Sequence, residues 1–344
     1  MRCVVIVILL LSSAAFYANA AEDRIVEFVT KAGTAEIAGH DAFIPKGGYA
    51  ALRSLIERER DKDIQKKVLL LIGVKLLSDD KVLREPDVAL LIGSIYLLAC
   101  DDSIRKDAWR FLKAIERDVF PANVERYAME RFAKTPSVEF ALLLGRCGSE
   151  ESMRILRESA KIENDEVRCA VMLALARRGD SDMEKAALLE IKRGYEENVA
   201  LRAKWRAQAV PSKQPPFLFS QNICNLEYIG DADSLMFQLS TLVHSEDKGW
   251  HCSDVGAYPD WLEVAGVIRE YMKVFNINIA IPPSSSQKKM IAWWERYKDD
   301  IKNALSEEEG NLSIAIALWY LKCVVSNNLK DLKRNATSCD LILE

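Results

Sequence analysis

The stretch VRCAVMLALARRGD, Val167–Asp180, decides the fold. Val167, Ala170, Val171, Ala174 and Leu175 recur at i, i+3, i+4, i+7 and i+8, a single stripe on an α-helix. Met172 and Leu173 carry apolar surface round to the flanks, so most of the circumference needs cover. A helix with one apolar stripe packs on one neighbour, whereas a helix apolar nearly all round needs several. Ala170 and Ala174 are small enough to let those neighbours come close. Gly179 offers a position that tolerates φ > 0, and Asp180 can cap whatever helix follows. The stretch therefore reads as the inner helix of a hairpin, with similar hairpins stacked before and after it.

Helical periodicity spreads outward from there. In SIRKDAWRFLKAIERD, Ile104, Ala108, Phe111, Leu112 and Ile115 form one stripe. Leu235, Leu239, Leu242 and Val243 form another, as do Trp261, Leu262, Ala265, Ile268, Met272 and Phe275. The spacing predicts about fifteen helices of roughly 10–17 residues joined by short polar breaks. The breaks SDD (78–80), CDD (100–102) and GDSD (179–182) put oxygen side chains where the first amides of a helix lack partners. Pro86, Pro121 and Pro136 stand at or beside predicted first turns, where a missing N–H costs nothing. Only NINIAI, 276–281, alternates like a strand. Three irregular stretches interrupt the pattern: VPSKQPPF (210–217), HSEDKGWHCSDVGAYPD (244–260) and IPPSSSQKK (281–289). The predicted organisation is a leader over 1–20 and a helical repeat array over 21–243. A polar loop, helix and linker follow over 244–286, and a C-terminal helical cap over 287–344.

Val167-Arg168, Ala170, Ala174-Leu175 and Gly179-Asp180 together resemble the second helix of a HEAT repeat, in its short bacterial form. LLLGRCGSEESMRIL ends its helix in the same way at Gly148, and NLEYIGDADSLMFQL does so at Gly230-Asp231. The helix pairs at 48–78, 86–117 and 121–147 match in length but carry little of the signature. The resemblance implies an all-α, right-handed α-solenoid of stacked antiparallel helix pairs of armadillo type, with an irregular C-terminal portion. In QKKMIAWWERYKDDIKNAL, Met290, Trp293, Trp294, Tyr297, Ile301 and Leu305 share a face. Exported HEAT-type proteins carry a similar Trp-Trp helix, which implies a cap over the open end of the stack. The other role for the two indoles is an aromatic ligand platform.

The N-terminus has the layout of a secretory signal: Arg2, an apolar run from Cys3 to Leu11, and Ala18-Asn19-Ala20 before a cut after Ala20. The chain is thus expected in the periplasm or secreted, and not membrane-spanning once cut, since later apolar runs fall short of the ~20 residues of a span. Its formal charge of −4 arises from mixed acids and bases rather than blocks, which argues against nucleic acid as a partner. Seven cysteines lie beyond Cys3, an odd number, so a full disulfide framework is excluded. Cys224–Cys252 and Cys323–Cys339, which flank irregular segments, are the candidate bridges.

Catalytic constellations are thin. No phosphate loop, HExxH helix, Cys-x-x-Cys pair or Gly-x-Ser-x-Gly elbow is present, and no cofactor motif is recognised. The one cluster with metal-ligand chemistry is His244, Glu246, Asp247, His251, Cys252 and Asp254, with His244, His251, Cys252 and Asp254 the candidate zinc ligands. A polar loop with Cys252 bridged to Cys224 accounts for the same residues. Lys66, Lys67, Arg105, Lys106, Arg168, Arg177 and Arg178 fall on second helices of pairs, which in a solenoid line the inner curve. They form either a mildly basic concave face or a solvated surface. The expected function is an exported, non-enzymatic scaffold that binds a protein partner along an extended concave surface. The alternative is a metal-dependent hydrolase or lyase centred on 244–260.

Overall fold

Oxygen side chains set where the helices begin. Asp101 accepts the Ile104 amide at 2.9 Å, Asp180 the Met183 amide at 3.2 Å and Asp79 the Lys81 amide at 3.0 Å, at the three predicted breaks. Asp61, Ser137, Ser149 and Asn164 cap further helices through the amides of Ile64, Phe140, Ser152 and Val167. Pro86 occupies a first turn, and Pro121 directly precedes one.

The computed structural model describes residues 22–39, 44–45, 47–207, 230–244, 250–251, 257–258, 261–282, 286–307 and 312–340. Among these the chain is all-helical, with fifteen α-helices. They are α1 (22–31), α2 (Thr34–Gly39), α3 (Gly48–Glu59), α4 (Lys62–Ser78), α5 (Pro86–Leu97), α6 (Asp102–Ala114) and α7 (Ala122–Lys134). Then follow α8 (Val138–Cys147), α9 (Glu150–Glu158), α10 (Asp165–Ala176), α11 (Ser181–Arg206), α12 (Ala232–His244), α13 (Trp261–Val274), α14 (Gln287–Glu307) and α15 (Leu312–Asp340). Three of them, α11, α14 and α15, run to 26, 21 and 29 residues, longer than the repeat pattern predicts. The alternation in NINIAI makes no strand. Asn276 turns with φ 52°, the Ile277 amide returns to the Met272 carbonyl at 2.8 Å, and 277–282 is irregular. Strand pairing among the described residues is limited to Trp250–His251 against Ala257–Tyr258. The proposed leader, VPSKQPPF and Cys224 lie outside the described residues, as does most of 244–260. No helix among the described residues is long and apolar enough to cross a membrane.

The chain divides into two compact units, Met1–Tyr127 with Ala317–Glu344, and Ala128–Ile316. In the first, α3 packs on α4 and also on α5, while α4 packs on α6, so helices meet both their neighbour and the helix after next. Leu52 and Ile56 of α3, Leu71 and Ile72 of α4, and Leu91, Ile92 and Ile95 of α5 are fully enclosed. Each such side chain contributes about 1.5–3 kcal/mol by leaving water. Gln65, also fully enclosed on α4, bridges to the α5–α6 turn. Its Nε2 donates to the Leu98 carbonyl at 2.9 Å, and its Oε1 accepts the Cys100 amide at 3.1 Å.

In the second unit α8 packs on α10, α10 on α11, and α12 on α14. The α8–α10 crossing is close because Gly145 has no side chain. A Cβ there would lie 2.5 Å from the Ala174 Cβ and 2.7 Å from its Cα. Residues Ala141–Cys147 of α8 are all buried. The same holds for Val167, Cys169–Val171 and Leu173–Ala176 of α10, which accounts for the apolar circumference of the opening stretch.

One expected bridge is corrected. Cys323 and Cys339 lie on the single continuous helix α15, sixteen residues apart and so about 24 Å along its axis. A disulfide requires Cα atoms within about 7 Å.

Candidate functional site

The residues around the α10–α11 turn take structural roles. Val167, Ala170, Ala174 and Leu175 form the buried side of α10, and Gly179 turns with φ 84° before Asp180 caps α11. Arg168 binds Asp165 of its own helix at 2.6 Å and reaches Glu190 of α11 at 3.1 Å, so it ties consecutive helices together. Arg178, just past α10, donates through Nε to the Gly145 carbonyl at 2.8 Å and through Nη2 to the Arg146 carbonyl. These are carbonyls of the last turn of α8, which a helix leaves without partners of its own. Gly148, with φ 65°, ends that helix, and any Cβ on it would collide with the Arg178 guanidinium. Arg178 thus fastens the end of α10 to the end of α8.

The other cationic residues divide the same way. Lys67, nine-tenths buried, pairs with Asp63 at 2.6 Å, and Arg105 pairs with Asp102 at 3.0 Å. Lys62 reaches Asp101 at 2.5 Å. Lys106 is exposed. Lys66 is exposed too, and it makes no ion pair among the described residues.

Of the candidate zinc ligands, His244 ends α12 with its Nδ1 2.8 Å from the Ser240 carbonyl of the same helix. Cys252 and Asp254 lie outside the described residues, and His251 is placed only by its backbone. Of this set only the His244 side chain is placed among the described residues, so the four-residue set as a whole lies outside them. Trp293 and Trp294 are both buried on α14, and the Trp293 Nε1 donates to the Ala280 carbonyl at 2.9 Å. Lys302 of the same helix pairs with Asp233 of α12 at 2.6 Å.

A site that the sequence did not announce lies in the first unit, where α4, α6 and α15 enclose a trough of about 380 Å³. From α4 come Lys66, Leu69 and Leu70, and from α6 come Ser103, Asp107, Arg110 and Phe111. The third wall is Leu321, Val324, Val325 and Asn328 of α15, with Thr34 of α2 at the edge. Both longer lists follow helical spacing, so each helix offers one continuous face. Gly73 allows α15 to approach: a Cβ there would come within 2.9 Å of Val325. At the mouth, Asp107 holds Arg110 at 2.7 Å. Burial pushes the Asp107 carboxyl above the usual carboxylate range, against the pull of Arg110, Lys66 and Lys106. The α6 residues flank the stripe Ile104-Ala108-Leu112, so the helix presents a core face and, beside it, a trough face. That second face was legible only as polarity, because its partner α15 stands some two hundred residues away in sequence.

Set against known proteins, the chain matches no family model, no curated protein and no solved structure.

Proposed function

We propose that this is an exported, non-enzymatic protein of stacked HEAT-like hairpins, a right-handed solenoid with an irregular C-terminal portion, that binds a protein partner over a broad face of its second helices. The observation that carries the proposal is the recurring contact of a helix with the helix after next: α3 with α5, α4 with α6, and α8 with α10. That order of packing is what stacked two-helix modules produce, and stacks present extended surface. Gln65 and Arg178 add support, since each bonds backbone thirty-three residues away, close to the length of one hairpin. The Trp-Trp helix, with both indoles buried, suits a sealing role better than a ligand platform.

The test is photo-crosslinking in the native exporting cell, with the crosslinker at Lys106 on second helix α6 or at Arg58 on first helix α3, both exposed. A discrete protein adduct from Lys106 and none from Arg58 is expected. Equal adducts from both positions, or none from either, would contradict binding on that face.

A further inference from the structure

We infer that the trough of the first unit is a binding site for a small carboxylate with an apolar body, the carboxylate at Lys66 and the hydrocarbon between Leu70, Phe111, Leu321 and Val324. The inference goes beyond the protein-binding proposal and does not need it. A trough of about 380 Å³ between the faces of three helices lies within the range of small-molecule pockets, about 300–1,000 Å³. Such pockets join an apolar lining to placed polar groups, and here Leu69, Leu70, Phe111, Leu321, Val324 and Val325 supply the first, and Lys66, Ser103 and Asn328 are among the second.

Charge at the mouth selects the head group. Asp107 faces the trough but holds Arg110 at 2.7 Å, so that pair is neutral as a unit. Lys62 and Lys67, on either side of Lys66 along α4, are held by Asp101 and Asp63. Lys66 alone of these three lines the trough, and it has no ion pair among the described residues. The net charge offered to an occupant is therefore positive, and an anionic head is attracted where a cationic one is repelled. Ser103 and Asn328 flank the mouth with hydrogen-bonding groups that suit a carboxylate.

Isothermal titration of the full-length mature protein with decanoate, decylamine and decanol tests the inference. Decanoate is expected to bind one-to-one, more weakly as salt is added. Lys66→Glu should weaken it by about tenfold or more, since an attraction at the mouth becomes a repulsion. Val324→Trp should remove binding by filling the trough, with the circular-dichroism spectrum unchanged; if that variant fails to fold, Leu70→Trp takes its place. Decylamine should give no heat and decanol less than decanoate. No binding of decanoate to the wild-type chain, binding indifferent to both Lys66→Glu and the filling variant, or decylamine binding as tightly as decanoate would each overturn the site.

Discussion

A methyl group added at Gly145 would lie 2.5 Å from the Ala174 Cβ and 2.7 Å from the Ala174 Cα, and the second of those atoms is backbone that no rotamer can move. Gly145→Ala should therefore cost about 1–3 kcal/mol in urea unfolding, as overpacking does. Gly194→Ala on α11 is the matched control. Nothing lies within 4 Å of its would-be Cβ, so the better helix former should be neutral or stabilising by up to about 1 kcal/mol. If both variants behave alike, the close crossing of α8 and α10 is wrong. Cys169 offers a second check at this scale. It is 1 % exposed, and burial pushes its thiol up to about 12. In the unfolded chain the same thiol ionises near the ordinary value of 9.0, so the folded state holds its proton longer. The contribution to stability is thus complete below pH 9 and lost as pH rises from there toward 12. Iodoacetamide at pH 8 should leave Cys169 unmodified in the native protein while labelling exposed Cys100, as peptide mapping by mass spectrometry would read. Labelling of both at equal rates would contradict the burial.

At the scale of elements, the sequence yielded most of the helices and several of their caps for a local reason. Periodicity and capping depend on residues three or four positions apart, and those are adjacent in the chain. Asp101, Asp180 and Gly179 took the roles their positions imply. The links between elements were much less legible. Arg168 and Arg178 looked like surface charge because their partners, Glu190 and the carbonyls of Gly145 and Arg146, are distant in sequence. Arg178→Ala should speed amide hydrogen exchange in the last turn of α8 and lower stability by about 1–3 kcal/mol, since buried carbonyls lose a charged donor. Arg178→Lys should recover only part of this, because a single ammonium cannot span two carbonyls as the guanidinium fork does. Exchange in α8 unchanged by Arg178→Ala would remove the fastening role. The supposed Cys323–Cys339 bridge failed at this same scale: an irregular segment was read where one unbroken helix runs.

For the whole molecule, the proposed stacking requires each hairpin to hide its apolar surface against another hairpin. α10 gives that proposal its clearest local basis: Val167, Cys169–Val171 and Leu173–Ala176 are buried, and the helix packs on α8, α9 and α11. The trough escaped sequence reading for a reason that belongs to this scale. The residues of α15 from Ala317 onward join the first unit, and no local pattern says which part of a chain a helix will return to. Zero-length carbodiimide crosslinking with mass spectrometry tests the stacking most directly, because it joins only an amine and a carboxylate already in contact. Stacking predicts an isopeptide between Lys62 of α4 and Asp101 at the start of α6, which lie 2.5 Å apart, together with other links between successive hairpins. Absence of the Lys62–Asp101 link, with crosslinks scattered between helices that share no neighbour, would contradict it.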